Sequence, residues 1–305
     1  MRNNLKRISA LFLALVMALS LSVTAFATTP ATAGDMNVTC GGKEFSNTPI
    51  NYTNSATGEN VNAYGHLLID SSASGSMTLT MEFNGTGLKI NGESVATTGS
   101  TYTGPFNLAS QVLEVEVLYG TNKSSMHYIS AYTPGTLNAT VNVDYSRATY
   151  FGTLTGPTTY TYPGMQHCPY LDTVTQAQIN YMKECLEVMD EYLPTEASKT
   201  ATYASLADDC KASGILDKFC QDIELAVTYD GDFISHVGFL GTDSATTWTY
   251  YGTTYNSGGW MYKVARGGVE MLPMIGATAF PLMPGDVVTW FYSVDLGYDY
   301  GQGMM

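Results

Sequence analysis

Between Met77 and Phe83 the chain alternates strictly, with Met77, Leu79, Met81 and Phe83 apolar and Thr78, Thr80 and Glu82 polar. The same period of two returns at Leu113, Val115 and Val117, with Glu114 and Glu116 between them. A period of two sends successive side chains to opposite faces, so both segments predict half-buried antiparallel strands. Asn91-Gly92 stands between Leu88-Lys89-Ile90 and Glu93-Ser94-Val95, and a two-residue Asn-Gly link predicts a hairpin. The run from Gly41 to Ser76 is polar and rich in Asn and Ser, and contributes loops and a strand or two. Thr133-Pro134-Gly135 predicts a turn and the boundary between two domains, 36–135 and 137–301. The second domain is expected to fold alone. Val141, Val143 and Tyr145 alternate as a further strand, and Thr149 to Pro163, rich in Thr, Tyr, Gly and Pro, reads as edge strand or linker.

The period changes after residue 172. Ile179, Met182, Leu186, Met189 and Leu193 recur three and four apart, which makes one face of a helix near 173–193. Thr175 with Gln178 predicts a capping box, and Pro194 ends the helix. A shorter helix is expected near 202–213, with Tyr203, Leu206 and Cys210 on one face and Gly214 closing it as a left-handed cap. From about 223 to 301 the pattern returns to strands and turns. Trp260 with Tyr262, and Trp290 with Tyr292, are each two apart, so each pair projects from one face of its strand; on neighbouring strands the four rings form one cluster. The expected fold class is mostly β with a small helical part, α+β, a β-sandwich followed by an α+β domain.

The first 27 residues add a compartment. Arg2, Lys6 and Arg7 precede an apolar run, Leu11 to Val23, and Ala25-Phe26-Ala27 supplies a small-x-small cleavage site. That order predicts a secretory signal peptide, 1–27, cut after Ala27. Its removal takes three of 13 Lys+Arg and no acid, leaving 10 basic against 27 acidic residues, a net charge of −17. So acidic a chain repels phosphate backbones and anionic membranes, so no nucleic acid partner is expected. No later segment reads as a membrane span, and no C-terminal anchor is expected. The expected location is secreted or cell-wall associated. Cys168, Cys185, Cys210 and Cys220 fall within one stretch, with Cys40 apart, and an exported chain favours one or two bridges among the four. No CxxC pair supports a redox site or a zinc knuckle.

Three segments of the second half carry a resemblance. They are Gly258-Gly259-Trp260-Met261-Tyr262-Lys263-Val264, then Pro284-Gly285-Asp286-Val287-Val288-Thr289-Trp290-Phe291-Tyr292, then Asp295-Leu296-Gly297. Together they resemble the transcobalamin-like C-terminal domain of exported bacterial proteins, over about 137–301. Thr202 to Leu206 with Cys210 and Gly214-Ile215 is similar to that family's short helix, and Asp232-Phe233-Ile234 and Val237-Gly238-Phe239 to its following strands. Two departures stand out: Val264-Ala265-Arg266-Gly267-Gly268 replaces the family's Val-Asn-Gly, and Ser293-Val294 stands where it often has a cysteine. The first half, through Ile90-Asn91-Gly92, Leu113 to Val117 and Met126 to Ile129, resembles the cadherin-like or immunoglobulin-like sandwiches of bacterial surface proteins.

The resemblance implies binding, and corrinoids such as cobalamin as a ligand class. In the animal B12 carriers this domain works against a large helical barrel, for which this chain has no room. No HExxH, GxSxG, phosphate-binding loop or GxGxxG in strand–helix context occurs, so an enzyme is not expected. His66, His127, His167 and His236 are scattered; His167 beside Cys168 reads as a loop residue before a metal ligand, and His236 as a hydrogen-bonded strand residue. The candidate ligand contacts are Trp248, Tyr250, Tyr251 and Tyr255, set among Thr, Gly and Asn, then Trp260 and Tyr262, and the acidic tail residues Asp295 and Asp299. Asp286 is placed to join the two tail carboxylates in space. Gly297 and Gly301 make that tail read as a solvated loop. The expected function is a secreted or cell-surface, non-catalytic binding protein. The alternatives are a glycan-binding or adhesive module, for which the same aromatic loop speaks, and a structural spacer, which a buried Trp248–Tyr255 segment favours.

Overall fold

The computed structural model describes residues 36–73, 76–107, 112–120, 123–165 and 168–301. The expected signal peptide and His167 lie outside them. Strands β1 (Met36–Cys40), β2 (Lys43–Glu44), β3 (Ser46–Pro49), β4 (Tyr52–Asn54), β5 (Asn60–Val61), β6 (Ala63–Ile69), β7 (Ser76–Phe83), β8 (Gly87–Ile90), β9 (Glu93–Ser94), β10 (Thr101–Asn107), β11 (Leu113–Leu118), β12 (Ser124–Tyr132) and β13 (Leu137–Asp144) come first. Helices α1 (Ser146–Gly152) and α2 (Gln176–Tyr192), strand β14 (Thr200–Leu206) and helix α3 (Ala212–Asp222) follow. The remainder is β15 (Val227–Asp230), β16 (Phe233–Val237), β17 (Leu240–Gly241), β18 (Thr247–Tyr250), β19 (Thr253–Asn256), β20 (Gly259–Arg266), β21 (Val269–Pro273) and β22 (Asp286–Ser293). The chain is mostly β with a small helical part, as its patterning implies.

The alternating strands make the sandwich. One sheet runs β10-β7-β1-β2 and the other β3-β6-β12-β11-β8-β9. Leu79, Met81 and Phe83 of β7 and Leu113, Val115 and Val117 of β11 share one buried core that also holds Met36, Val38, Leu88, Ile90 and Ile129. The hairpin turn forms as expected, with Asn91 at φ 49 and Gly92 at φ 82.

The expected boundary at Pro134 does mark a change of sheet, from β12 to β13, but the cores do not divide there. A seven-stranded sheet runs β14-β13-β22-β20-β21-β4-β5, so residues 52–61 supply two of its strands, with Leu272 opposite Thr53. Ile50, Tyr52, Ala63, Tyr128 and Tyr132 belong to the core of the C-terminal half. Strand β12 is buried on both faces, Ile129 and Ala131 towards the sandwich interior, Tyr128 and Tyr132 towards the other core. Period two holds within each half and carries no information about which half a third layer comes from.

Helix α2 begins on the expected capping box: Thr175 Oγ1 accepts from the Gln178 N–H, and Gln178 Oε1 accepts from the Thr175 N–H at 2.8 Å. Its buried face is Ile179, Met182, Leu186 and Met189. Two expectations fail. Residues 200–206 form a strand, not a helix, because Ala201 and Tyr203 pack on the core and the stretch pairs with β13; Gly214 lies inside α3 and caps nothing. Tyr203, Leu206 and Cys210 reproduce helical spacing by coincidence. The linker expected from Thr149 contains the second half of α1, whose entry is fixed by Asp144 Oδ1 accepting from the Ser146 N–H at 2.9 Å.

All five cysteines are free thiols, so the expected bridges do not form. For Cys210 and Cys220 the reason is geometric. Cys210 precedes α3, whose first residue is Ala212, and Cys220 lies eight residues further along it, about 12 Å at 1.5 Å per residue, whereas a disulfide spans less than about 7 Å between Cα atoms. Among the described residues no helix is long and apolar enough to cross a membrane.

Candidate functional site

The four signature aromatics come together as expected, and they are core. Strands β20 and β22 are antiparallel neighbours with Trp260 opposite Tyr292 and Tyr262 opposite Trp290. Tyr262 stacks on Trp290 at 5.3 Å between centroids, and Trp260 meets Tyr292 edge-on at 5.5 Å. Their polar tips are absorbed internally. Trp260 Nε1 donates to the Leu240 carbonyl at 2.8 Å, Trp290 Nε1 to Ala212 at 3.1 Å, and the Tyr262 and Tyr292 hydroxyls to Ile275 and Gly241 at 2.7 Å each.

The loop from Trp248 to Tyr255 is a hairpin, β18 on β19, turning through Tyr251 at φ 47 and Gly252 at φ 78. Positive φ at both central residues is the turn geometry that matches strand twist. Trp248 is 6% exposed and packs on Tyr255 at 5.2 Å, while Tyr251 at the tip is 91% exposed. Tyr250 closes β18. Of the loop aromatics, then, Trp248 is interior and Tyr251 is presented to solvent. Trp248→Ala should accordingly lower stability by about 3 kcal/mol, as buried Trp→Ala changes do, which urea titration measures; unchanged stability would place that ring outside the core.

The acidic tail is not a solvated loop. Asp295 and Asp299 are both fully buried. Gly297 at φ 85 and Gly301 at φ 78 let the chain fold back through a single 3-10 turn, Tyr298–Tyr300. Ser293 organises the turn: its hydroxyl donates to Asp299 Oδ1 at 2.6 Å and accepts from the N–H groups of Asp295 and Gly297 at 3.2 and 2.7 Å. Asp299 Oδ2 also accepts from the Val294 N–H at 3.0 Å, and Asp295 Oδ2 from the Cys168 N–H at 3.3 Å. Burial raises Asp299 above the usual carboxylate range against these donors, and raises Asp295 to about 7, with the neighbouring Asp299 charge adding to the effect. The glycines that suggested mobility are what permit burial.

Asp286 does not join them; it sits at the opposite end of β22. It forms a bidentate pair with Arg266, Nε to Oδ1 at 2.9 Å and Nη2 to Oδ2 at 2.7 Å, with neither side chain exposed. Arg266 ends β20, directly before Gly267-Gly268, and that departure from the family pattern is a tight turn with φ 58 and 85. The positive φ at Gly267 favours glycine, and a Cβ there would also fall 2.1 Å from Glu114 Oε1 of β11 and push that carboxylate aside.

One constellation has no counterpart in the sequence analysis. His66 Nε2 and His127 Nδ1 lie 2.9 Å apart, His127 Nε2 and Ser125 Oγ 2.8 Å, and Ser125 Oγ and Tyr119 Oη 2.9 Å. Burial lowers His66 to about 4 and His127 to about 3, the latter also through the neighbouring His66. The chain Tyr119–Ser125–His127–His66 is a hydrogen-bonded relay inside the sandwich, with both imidazoles neutral at pH 7. His66 and His127 are 61 residues apart and meet because β6 and β12 pair in parallel; no spacing rule reveals that. His236 Nε2 lies 3.2 Å from Asp243 Oδ1, a strand residue with a hydrogen-bond partner, as expected.

An open concavity lies elsewhere. A cleft of about 760 Å³ runs between β14 and α3. One wall is the continuous stretch Thr202 to Ala207; the other is Gly214, Asp217, Lys218 and Gln221, one face of α3. Tyr203 crosses between the walls, its hydroxyl donating to Asp222 Oδ2 at 3.0 Å, and Lys218 pairs with the same carboxylate. Among the described residues no cluster of three or more His, Cys, Asp or Glu is placed to hold a metal ion. Comparison with family models, with curated proteins and with solved structures finds no match.

Proposed function

We propose that this chain is an exported or cell-surface, non-catalytic binding protein, in which a sandwich supports a transcobalamin-like domain and the ligand occupies the cleft between β14 and α3. The observation that carries this reading is the cleft itself. Its volume, about 760 Å³, falls within the range of small-ligand sites, and it offers an aromatic ring, the Ser205 hydroxyl and both signs of charge. Of the residues first expected to bind, Trp248, Trp260, Asp295 and Asp299 are buried and Tyr251 is the exposed ring at the hairpin tip, which favours this wall of the sheet over the hairpin and tail. Corrinoids remain the ligand class that the resemblance implies, with surface glycans as the second class to screen.

The test is a thermal-shift screen of the protein against corrinoids, glycans and divalent metals, since a ligand of the folded state raises its melting temperature. Ser205→Trp, at an exposed position on the cleft wall, should leave the unliganded melting temperature near the wild-type value and abolish the ligand's shift. A ligand that shifts both proteins equally binds outside the cleft. A second reading, a structural spacer, draws on the buried Trp248, and predicts no shift with any of these compounds.

A further inference from the structure

A sheet edge exposes a row of unpaired N–H and C=O groups, and proteins usually blunt it with charge, proline or brevity. The other terminal strands of the three large sheets carry such devices. β2 is Lys43–Glu44, both charged, and β5 and β9 are two residues each; β3 ends on Pro49, and β10 contains Pro105. β14 is the exception. It ends the seven-stranded sheet, runs seven residues, Thr-Ala-Thr-Tyr-Ala-Ser-Leu, and has neither charge nor proline; its one irregularity is a register shift against β13 between Tyr203 and Leu206, after a regular stretch from Thr200 to Tyr203. The cleft opens along this same strand, so the edge without charge or proline and the concavity coincide.

The charges around it favour one sign of partner. Lys218 is already paired with Asp222; outside that pair the cleft carries Asp209 and Asp217, both exposed and the latter accepting from the Tyr229 hydroxyl at 2.6 Å, against the single Lys211. The chain as a whole carries 27 acidic against 13 basic residues, a field that draws cationic segments towards it. Resting on the cleft as the ligand site, we infer that its occupant is an extended, basic peptide segment of another protein, added as a further strand along β14. Main-chain pairing supplies the affinity, and Asp209 and Asp217 select for Lys or Arg beside the paired stretch.

The experiment selects linear heptapeptides from a displayed library on the wild-type chain and, in parallel, on Ser205→Trp. A wild-type winner is then synthesised in three forms: unmodified, and with alternate amide nitrogens methylated in one frame or the other. In an added strand only every second N–H points at its partner. One methylated frame should therefore lose tenfold or more in affinity while the other binds like the parent, and affinity should fall with added salt. Equal affinity of both frames, or enrichment of acidic or charge-free winners, overturns the inference. So does the absence of any peptide enriched on wild type over Ser205→Trp. If small molecules still give a thermal shift that Ser205→Trp abolishes, the cleft reading stands without the peptide; if they do not, both fall.

Discussion

Asp286→Ala should destabilise the protein by about 3–5 kcal/mol, the range for removing one partner of a buried ion pair. Arg266 would be left with its guanidinium buried and only the Pro281 carbonyl, 2.9 Å from Nη2, as a hydrogen-bond acceptor. The Met283 N–H, which donates to Asp286 Oδ2 at 2.8 Å, would lose its acceptor too. Tyr128 and Phe280, whose rings flank the guanidinium at 5.5 and 5.2 Å, offer a weak substitute. The contrast that identifies the cause is the double variant Arg266→Met with Asp286→Leu. Replacing both charges by apolar groups removes their desolvation cost together with their attraction, and should recover most of the loss. Urea midpoints of the three proteins decide it: a double variant as unstable as Asp286→Ala would mean that the damage is to packing and not to an orphaned charge.

The second large effect is on pH dependence, and wild type should conceal it. Asp295 titrates near 7 in the fold against 3.8 ordinarily. Between these values the folded state binds more protons than the unfolded, so this group adds stability as pH falls through the window, on the order of 4 kcal/mol at about 1.4 kcal/mol per pH unit. His66 and His127 do the reverse. Their folded values, about 4 and 3, lie below the ordinary 6.5, so the unfolded state binds more protons and stability falls as pH drops below about 6.5. The two contributions oppose one another between pH 4 and 6.5. Asp295→Asn removes the gain and should expose a steep acid loss, about 5 kcal/mol between pH 7 and 4.5 from the two histidines together, where wild type loses about 2 kcal/mol. Replacing both histidines with Gln should leave a protein that gains stability over the same interval. Urea melts at four pH values measure both slopes; parallel curves for Asp295→Asn and wild type would exclude Asp295 as the source.

The strands were legible where apolar and polar residues alternate strictly. Met77 to Phe83 and Leu113 to Val117 face solvent on one side and declare their period, and the same logic paired Trp260/Tyr262 with Trp290/Tyr292 and capped α2 at Thr175. What failed was the environment of polar groups. Asp295 and Asp299 read as solvated because glycines flank them, yet Ser293 and two backbone N–H groups hold Asp299 and Asp295 inside. The cleft was invisible for a related reason: it depends on β14 being an edge strand, and the Tyr203–Leu206–Cys210 spacing imitates a helix. Sheet order is a property of long-range closure, and no local pattern carries it.

The strand exchange between the halves also sets a timetable. Thr53 pairs with Leu272, and a ribosome adds about 5–20 residues per second. Tyr52 to Val61 must therefore wait on the order of ten seconds or more after synthesis before their sheet neighbour exists. The sandwich core, drawn from residues 36 to 131, can condense in that interval. Strands β4 and β5 cannot, and Ile50, Ala63 and Tyr128 stay uncovered with them. A chain that condensed its sandwich in that interval would display one apolar face and two loose strands until the late segment arrived to capture the early one.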